Sequence, residues 1–168
     1  MVQNKSLNFI KAVPKDTYPV PGEHTKLETS DIDLDQTLEN GAILVKTKVL
    51  SLDPYMRSRM RNPGFKSYVP EFDLNKPLTN FGVGEVLSVG EGATAKKGDL
   101  VYGYFEFAEY VKFDAETVKS LRIFDNKEKL PLSTWVGAAG MPGQTARHGL
   151  LSIGKPKKGE TIFVSSAS

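Results

Sequence analysis

The sequence contains no cysteine. Disulfides are therefore excluded, and so is any metal site built on thiolates. Histidine is almost as scarce: His24 and His148 are the only two, far apart in the chain. A catalytic zinc normally takes about three protein ligands from Cys, His or carboxylate. Only a carboxylate-rich set stays open, and no spacing suggests one. A strong charge of one sign is missing as well. The net charge of +2 is too small to argue for nucleic acid or an anionic membrane as partner. No apolar run approaches the ~20 residues of a membrane span. Met1-Val2-Gln3-Asn4-Lys5 lacks the apolar core of a secretion signal, so a cytoplasmic protein is expected.

What is present fits an ordinary folded domain: 168 residues, 39% hydrophobic and 25% charged, enough for a real core. The most informative run is Val49-Leu50-Ser51-Leu52-Asp53-Pro54-Tyr55-Met56-Arg57-Ser58-Arg59-Met60. It leads a plausible strand end into a corner. Pro54 locks its own φ and biases Asp53 toward extended geometry. Tyr55 is thereby set at the corner, either to aim its phenol at a ligand or to end a strand as a core tyrosine with a satisfied hydroxyl. Arg57, Arg59 and Arg61 form a basic cluster, read as a solvated face before a phosphate site.

The chain up to about residue 127 reads as strands and loops. Leu7, Phe9 and Ile10 suggest a first strand. Thr29-Ser30-Asp31 and Asp33-Leu34-Asp35 offer turn chemistry. Ala42–Leu52 is the clearest strand, with Ile43, Val45, Thr47 and Val49 on one face and Lys46 and Lys48 on the other, wet face. Residues 61–80 form a long loop whose Phe65, Tyr68 and Phe72 either line a pocket or pin the loop to the core. Phe81–Val89 is a strand in which Gly82 and Gly84 signal a bulge or a close backbone approach. A turn at Lys97-Gly98-Asp99 feeds strands Leu100–Phe107 and Ala108–Phe113. Short strands at this spacing predict a mainly β fold, a small barrel or sandwich.

After about residue 128 the texture becomes helical, over Leu130–Ala139 and Thr145–Ile153, with Gly140-Met141-Pro142-Gly143 between. The chain closes on Thr161–Ser168, a β-branched apolar strand running into small residues. A dinucleotide-binding βαβ unit begins this way. A lone strand of that kind cannot cover its edges and faces, so a piece of a longer polypeptide is expected. A terminal strand completing the β-structure is the alternative.

Four segments carry a resemblance. Val49–Met60 is similar to the "LDPYMR" signature of the zinc-independent double-bond reductases of the medium-chain dehydrogenase/reductase superfamily. Asn80–Val86 resembles the glycine-rich strand that holds a zinc-ligand histidine in zinc-dependent relatives. Lys97–Gly103 resembles the family's "GDLVxG" strand, and Gly137–Ala146 its "GMPGLTA" element. Asp53 stands at the cysteine position of zinc-dependent relatives and Asn80 at the histidine position, so the resemblance implies no zinc.

The resemblance also implies a fold. Residues 1–127 would be a GroES-like, partly open β-barrel serving as catalytic domain. Residues 128–168 would be connecting helices and the first strand of a truncated Rossmann domain. The implied activity is NADPH-dependent reduction of the carbon–carbon double bond of an α,β-unsaturated aldehyde or ketone, with NADPH and the small-molecule enone as ligands. The implied site has Tyr55 as catalytic and substrate-binding residue. Pro54, Tyr55, Met141 and Thr145 would contact the cofactor, and Ala167 and Ser168 would stand at the entry to its phosphate loop. The full-length protein would be a homodimer through the missing half, and the chain alone would be inactive. A quinone or alcohol oxidoreductase of the same superfamily, or a barrel module that binds a partner without chemistry, remain as alternatives.

Overall fold

The computed structural model describes residues 1–165. Its strands are β1 (Val2–Phe9), β2 (Thr25–Ile32), β3 (Ile43–Leu50), β4 (Lys76–Pro77), β5 (Thr79–Val89), β6 (Leu100–Glu106), β7 (Tyr110–Phe113) and β8 (Arg122–Phe124). They make two antiparallel sheets, one in the order β2-β1-β4 and one in the order β7-β3-β5-β6-β8. Helices α1 (Met56–Arg59), α2 (Ala115–Ser120), α3 (Ser133–Val136) and α4 (Met141–Arg147) are short. The fold is mainly β, as expected, and the barrel is not closed. The two sheets meet where Leu7 donates to the carbonyl of Phe107 and Phe107 to that of Leu78, at 2.8 and 2.7 Å.

β5 runs the length of the larger sheet because its glycines make room for a neighbour. A Cβ on Gly84 would stand 2.3 Å from Val45 Cγ1 and 2.9 Å from Phe105 Cε1. The fully buried Phe105 fills that seat and meets Phe113 edge to face with ring centroids 5.0 Å apart. The paired glycines thus mark a close approach. A second core of Phe9, Val13, Met56, Met60, Phe72, Leu78 and Phe107 lies under α1, with the Tyr55 ring packed against it.

Several expectations need correction. Thr29-Ser30-Asp31 is not a turn but part of β2, a largely exposed strand with no hydrophobic alternation to announce it; Asp33 does form one, its carboxylate accepting from the Asp35 amide at 3.1 Å. β3 begins at Ile43, and its first three residues are buried on both faces, because Leu44 joins a separate cluster with Leu38 and Ala42. Only its second half has the wet lysine face. The 61–80 loop is cut short by β4 and by β5, which starts at Thr79.

The helical stretch 130–139 reduces to the four residues of α3, closed off by Gly137 and Gly140, poor helix formers. Met141 and Pro142 do not separate two helices. They open α4, with Pro142 in the first turn where its missing N–H costs nothing, and a π-helical segment follows at His148–Gly154. Residues 161–165 pair with no strand among the described residues. A strand of the parallel type is one only within a sheet, which is normally covered on both faces.

Candidate active site

The chain leaves β3 at Leu50 and turns through Asp53 and Pro54 into α1. The turn is held by the Met56 amide on the Asp53 carbonyl at 3.0 Å. Tyr55 stands at the N-terminal boundary of α1, half-buried. Its hydroxyl donates to Asn80 Oδ1 at 2.5 Å. Asn80 is completely buried, yet every polar atom of its side chain is used. Its Nδ2 donates to Asp53 Oδ2 at 2.6 Å and to the Ser51 carbonyl at 3.0 Å, with Met56 Sδ at 3.2 Å. A buried amide satisfied in this way holds one orientation. Asp53 and Asn80, the two positions matched to metal ligands in zinc-dependent relatives, are therefore bonded to each other. Among the described residues no group of three or more His, Cys, Asp or Glu could hold a metal ion.

Burial pushes the Tyr55 hydroxyl well above the ordinary tyrosine range. The neighbouring Tyr104 hydroxyl adds to this, the Arg59 guanidinium works against it, and the Asp53 carboxylate adds a little more. Tyr55 therefore remains a proton-bearing donor throughout the neutral range. Tyr102 is also raised by burial; the Met141 backbone amide opposes the shift and Asp53 reinforces it. The first turn of α4 and the Asp53–Tyr55 corner thus front the same patch of β6. Phe81, Tyr102 and Tyr104 share this face. Phe81 stacks on Tyr102 at 5.5 Å and meets Tyr104 edge-on at 5.4 Å.

Of the residues singled out from sequence, Pro54 is exposed on the corner and Met141 is half-buried beside Tyr102. Thr145 is exposed, and its hydroxyl turns back to the Met141 carbonyl at 2.9 Å rather than capping an amide. Ala167 and Ser168 lie outside the described residues. Phe65 and Tyr68 are exposed, whereas Phe72 is buried and pins its loop against Phe9. The arginine cluster is corrected outright. Arg59 is 5% exposed, and Arg57 and Arg61 spend their guanidinium groups on backbone carbonyls, Arg61 also on the Glu71 carboxylate at 3.2 Å.

Sequence reasoning missed Asn80 as the acceptor of the Tyr55 proton, and Arg59, Tyr102 and Tyr104 as its surroundings. A signal existed for two of them: Tyr102 and Tyr104 sit two apart in a strand, on one face. Asn80, an amide at the start of an otherwise apolar strand, was a weaker one. Beside the corner lies an apolar groove of about 430 Å³, lined by Leu7, Leu52, Pro54, Met60 and Phe107 among others.

The family model described as the N-terminal domain of oxidoreductase matches residues 17–121. A zinc-type alcohol dehydrogenase-like protein of Schizosaccharomyces pombe is 39% identical over 171 residues, covering 100% of this chain and 49% of that protein. An NADP-dependent 2-alkenal reductase of Nicotiana tabacum is 38% identical over 172 residues, covering 99% of this chain and 46% of that protein. The crystal structure of CurA in complex with NADPH, from Vibrio vulnificus, superposes with a TM-score of 0.76 at 30% identity, over 93% of this chain and 42% of that one. The chain spans about half the length of the curated relatives it matches. No helix among the described residues is long and apolar enough to cross a membrane.

Proposed function

The chain belongs to the medium-chain dehydrogenase/reductase family of NADP-dependent oxidoreductases, matching their N-terminal half, and on that premise we propose that it is the catalytic-domain portion of a reductase of α,β-unsaturated aldehydes and ketones. The observation that carries the reading is the Tyr55 hydroxyl, held on a rigid corner by Asn80 at 2.5 Å beside the first turn of α4.

The residues present suit NADPH. The half-buried Tyr55 and Met141 and the exposed Pro54 ring are all uncharged, as the contacts of a flat, neutral nicotinamide would be. Pro54, Tyr55 and Met141 would hold that ring. Thr145 would contribute its methyl group, since its hydroxyl is spent on Met141. What NADPH supplies when bound is a hydride for the β-carbon of the enone. On such a transfer the pair of the carbon–carbon double bond would shift between the α-carbon and the carbonyl carbon, and the carbonyl π pair would move onto the oxygen. The oxygen's growing charge calls for a preorganised donor. Tyr55 provides it by rotating its single proton from Asn80 Oδ1 to the substrate oxygen. Asn80 meanwhile stays tied to Ser51 and Asp53. A proton from water completes the α-carbon.

In this reading residues 1–127 form the catalytic domain, and residues from 128 belong to the connection and the nucleotide-binding domain. The complete protein would be a cytoplasmic homodimer joined through that second domain. The test is NADPH oxidation by the full-length protein with an alkenal, a quinone and an alcohol–NADP pair. Turnover with the alkenal is expected. Turnover confined to the quinone or the alcohol would overturn the enone assignment, and no turnover with any of them would favour a non-catalytic binding module.

A further inference from the structure

Arg59 is a buried cation for which, among the described residues, no carboxylate forms an ion pair. Leaving a guanidinium out of water without a counter-charge is costly, so its surroundings must compensate. Nε donates to the Pro70 carbonyl at 3.0 Å. Nη1 donates to the Thr79 carbonyl at 2.8 Å and to the Tyr104 hydroxyl. Nη2 donates to Thr79 Oγ1 at 3.2 Å. The guanidinium carbon lies 3.9 Å from the centre of the Phe72 ring. Three of these four polar contacts converge on the two ends of one short path. Thr79 immediately precedes Asn80, and Tyr104 is the ladder partner of Phe81, which immediately follows it.

We infer that Arg59 is a positioning residue for the Tyr55 hydroxyl, clamping both neighbours of Asn80 and placing its charge behind Tyr104. It touches neither substrate nor cofactor. Thr79 is gripped directly. Phe81 is held through Tyr104, whose ring meets it edge-on. Asn80, fixed between them, sets where the Tyr55 oxygen stands. The positive charge favours electron density on the Tyr104 and Tyr55 oxygens, which makes Tyr55 a better donor to a developing oxyanion. The rigid fork of arginine is what the arrangement requires; a lysine can supply the charge but only one point of attachment.

The inference rests on the proposed role of Tyr55 and is tested in two ways. In this chain, tyrosine labelled with carbon-13 beside the phenol oxygen gives one resonance per tyrosine, and Tyr55→Phe identifies the relevant one. Tyr104→Phe removes a single oxygen and leaves Arg59 on Thr79 and Pro70. It is expected to move the Tyr55 signal and leave in place that of Tyr110, on β7 with two strands between it and β6. Arg59→Lys is expected to move it further. A Tyr55 signal unmoved in Arg59→Lys overturns the inference; where that variant does not fold, Thr79→Val, which removes the acceptor of Nη2 and leaves Tyr104 untouched, decides in its place.

In the full-length enzyme each substitution is expected to lower kcat about tenfold, as a small misplacement of the donor would, with the KM for NADPH unchanged. Added to Tyr55→Phe, neither should lower it further. Unchanged kcat in an active enzyme overturns the inference while the proposed function stands. An enzyme inactive on every enone, with the Tyr55 signal moved as expected, overturns the proposed function and leaves the clamp established.

Discussion

Asp53 and Asn80 lie on different elements, yet their side chains share a 2.6 Å hydrogen bond that closes the corner onto β5. Through this bond the turn and the strand become one rigid piece. Tyr55 takes its orientation from both.

Replacing Tyr55 by Phe keeps the ring against the core under α1 and removes one hydroxyl. Turnover of an enone by the full-length protein is expected to fall about a hundredfold, as for loss of one oxyanion donor. Steady-state kinetics with and without the substitution checks this. Stability is expected to change by only about 1 kcal/mol, the net worth of one hydrogen bond.

Asn80→Ala should act on the fold as well as on the site. It strips the Tyr55 hydroxyl, the Asp53 carboxylate and the Ser51 carbonyl of a partner in a buried place. Each stranded group costs about 1–3 kcal/mol, less where water can enter. A loss of about 3 kcal/mol in urea unfolding is expected, and a loss below about 1 kcal/mol would show that the amide is not the organising group.

Gly84→Ala probes the seat of Phe105. The new methyl would stand 2.3 Å from Val45 Cγ1 and 2.9 Å from the Lys46 carbonyl oxygen. Side chain and backbone would both have to move, and overpacking of this kind costs about 1–3 kcal/mol. The urea midpoint should fall accordingly, whereas Gly92→Ala, with no atom within 4 Å of the added carbon, strains only its own backbone.

Alkaline pH should lower the stability of the protein through its half-buried phenols. Burial raises both Tyr55 and Tyr102 above the ordinary value of 10.0. A raised folded value means that the unfolded chain gives up its proton first. The stability these groups contribute is thus complete below the unfolded value and lost as pH rises from there through the folded value. Urea midpoints taken on either side of 10.0 should show a decline that Tyr55→Phe makes shallower. An equal decline in both proteins would place the alkaline sensitivity elsewhere.

How much of this was legible beforehand follows from where the physics acts. The corner could be read because Pro54 and its neighbours fix it locally. The seat for Phe105 could be read in part, since glycines two apart in a strand announce a close approach without naming what approaches. Arg59 could not. Its burial is decided by Phe72, Pro70 and Thr79, which reach it only after folding, while the sequence shows an arginine between two others. β2 was invisible because Thr25–Ile32 pairs through its backbone with side chains mostly in water, so no apolar period betrays it. The helical pattern across 130–139 was genuine but overruled by Gly137 and Gly140, and residues 161–165 of the expected final strand pair with no strand among the described residues.

α1 is a single turn of four residues, far shorter than a helix that persists unaided. Arg57 ties it to the carbonyls of Thr17 and Pro14 at 2.9 and 2.7 Å, and Arg61 just beyond it to those of Ser58, Phe65 and Val69. A main-chain carbonyl is the same whichever amino acid supplies it. Apart from Glu71, whose carboxylate pairs with Arg61 Nη2 at 3.2 Å, the anchors therefore make almost no demand on the identity of the loop residues they grip. Over evolutionary time both flanking loops can drift in sequence, and with them the surface shown to a substrate, while the tyrosine at the corner keeps its aim.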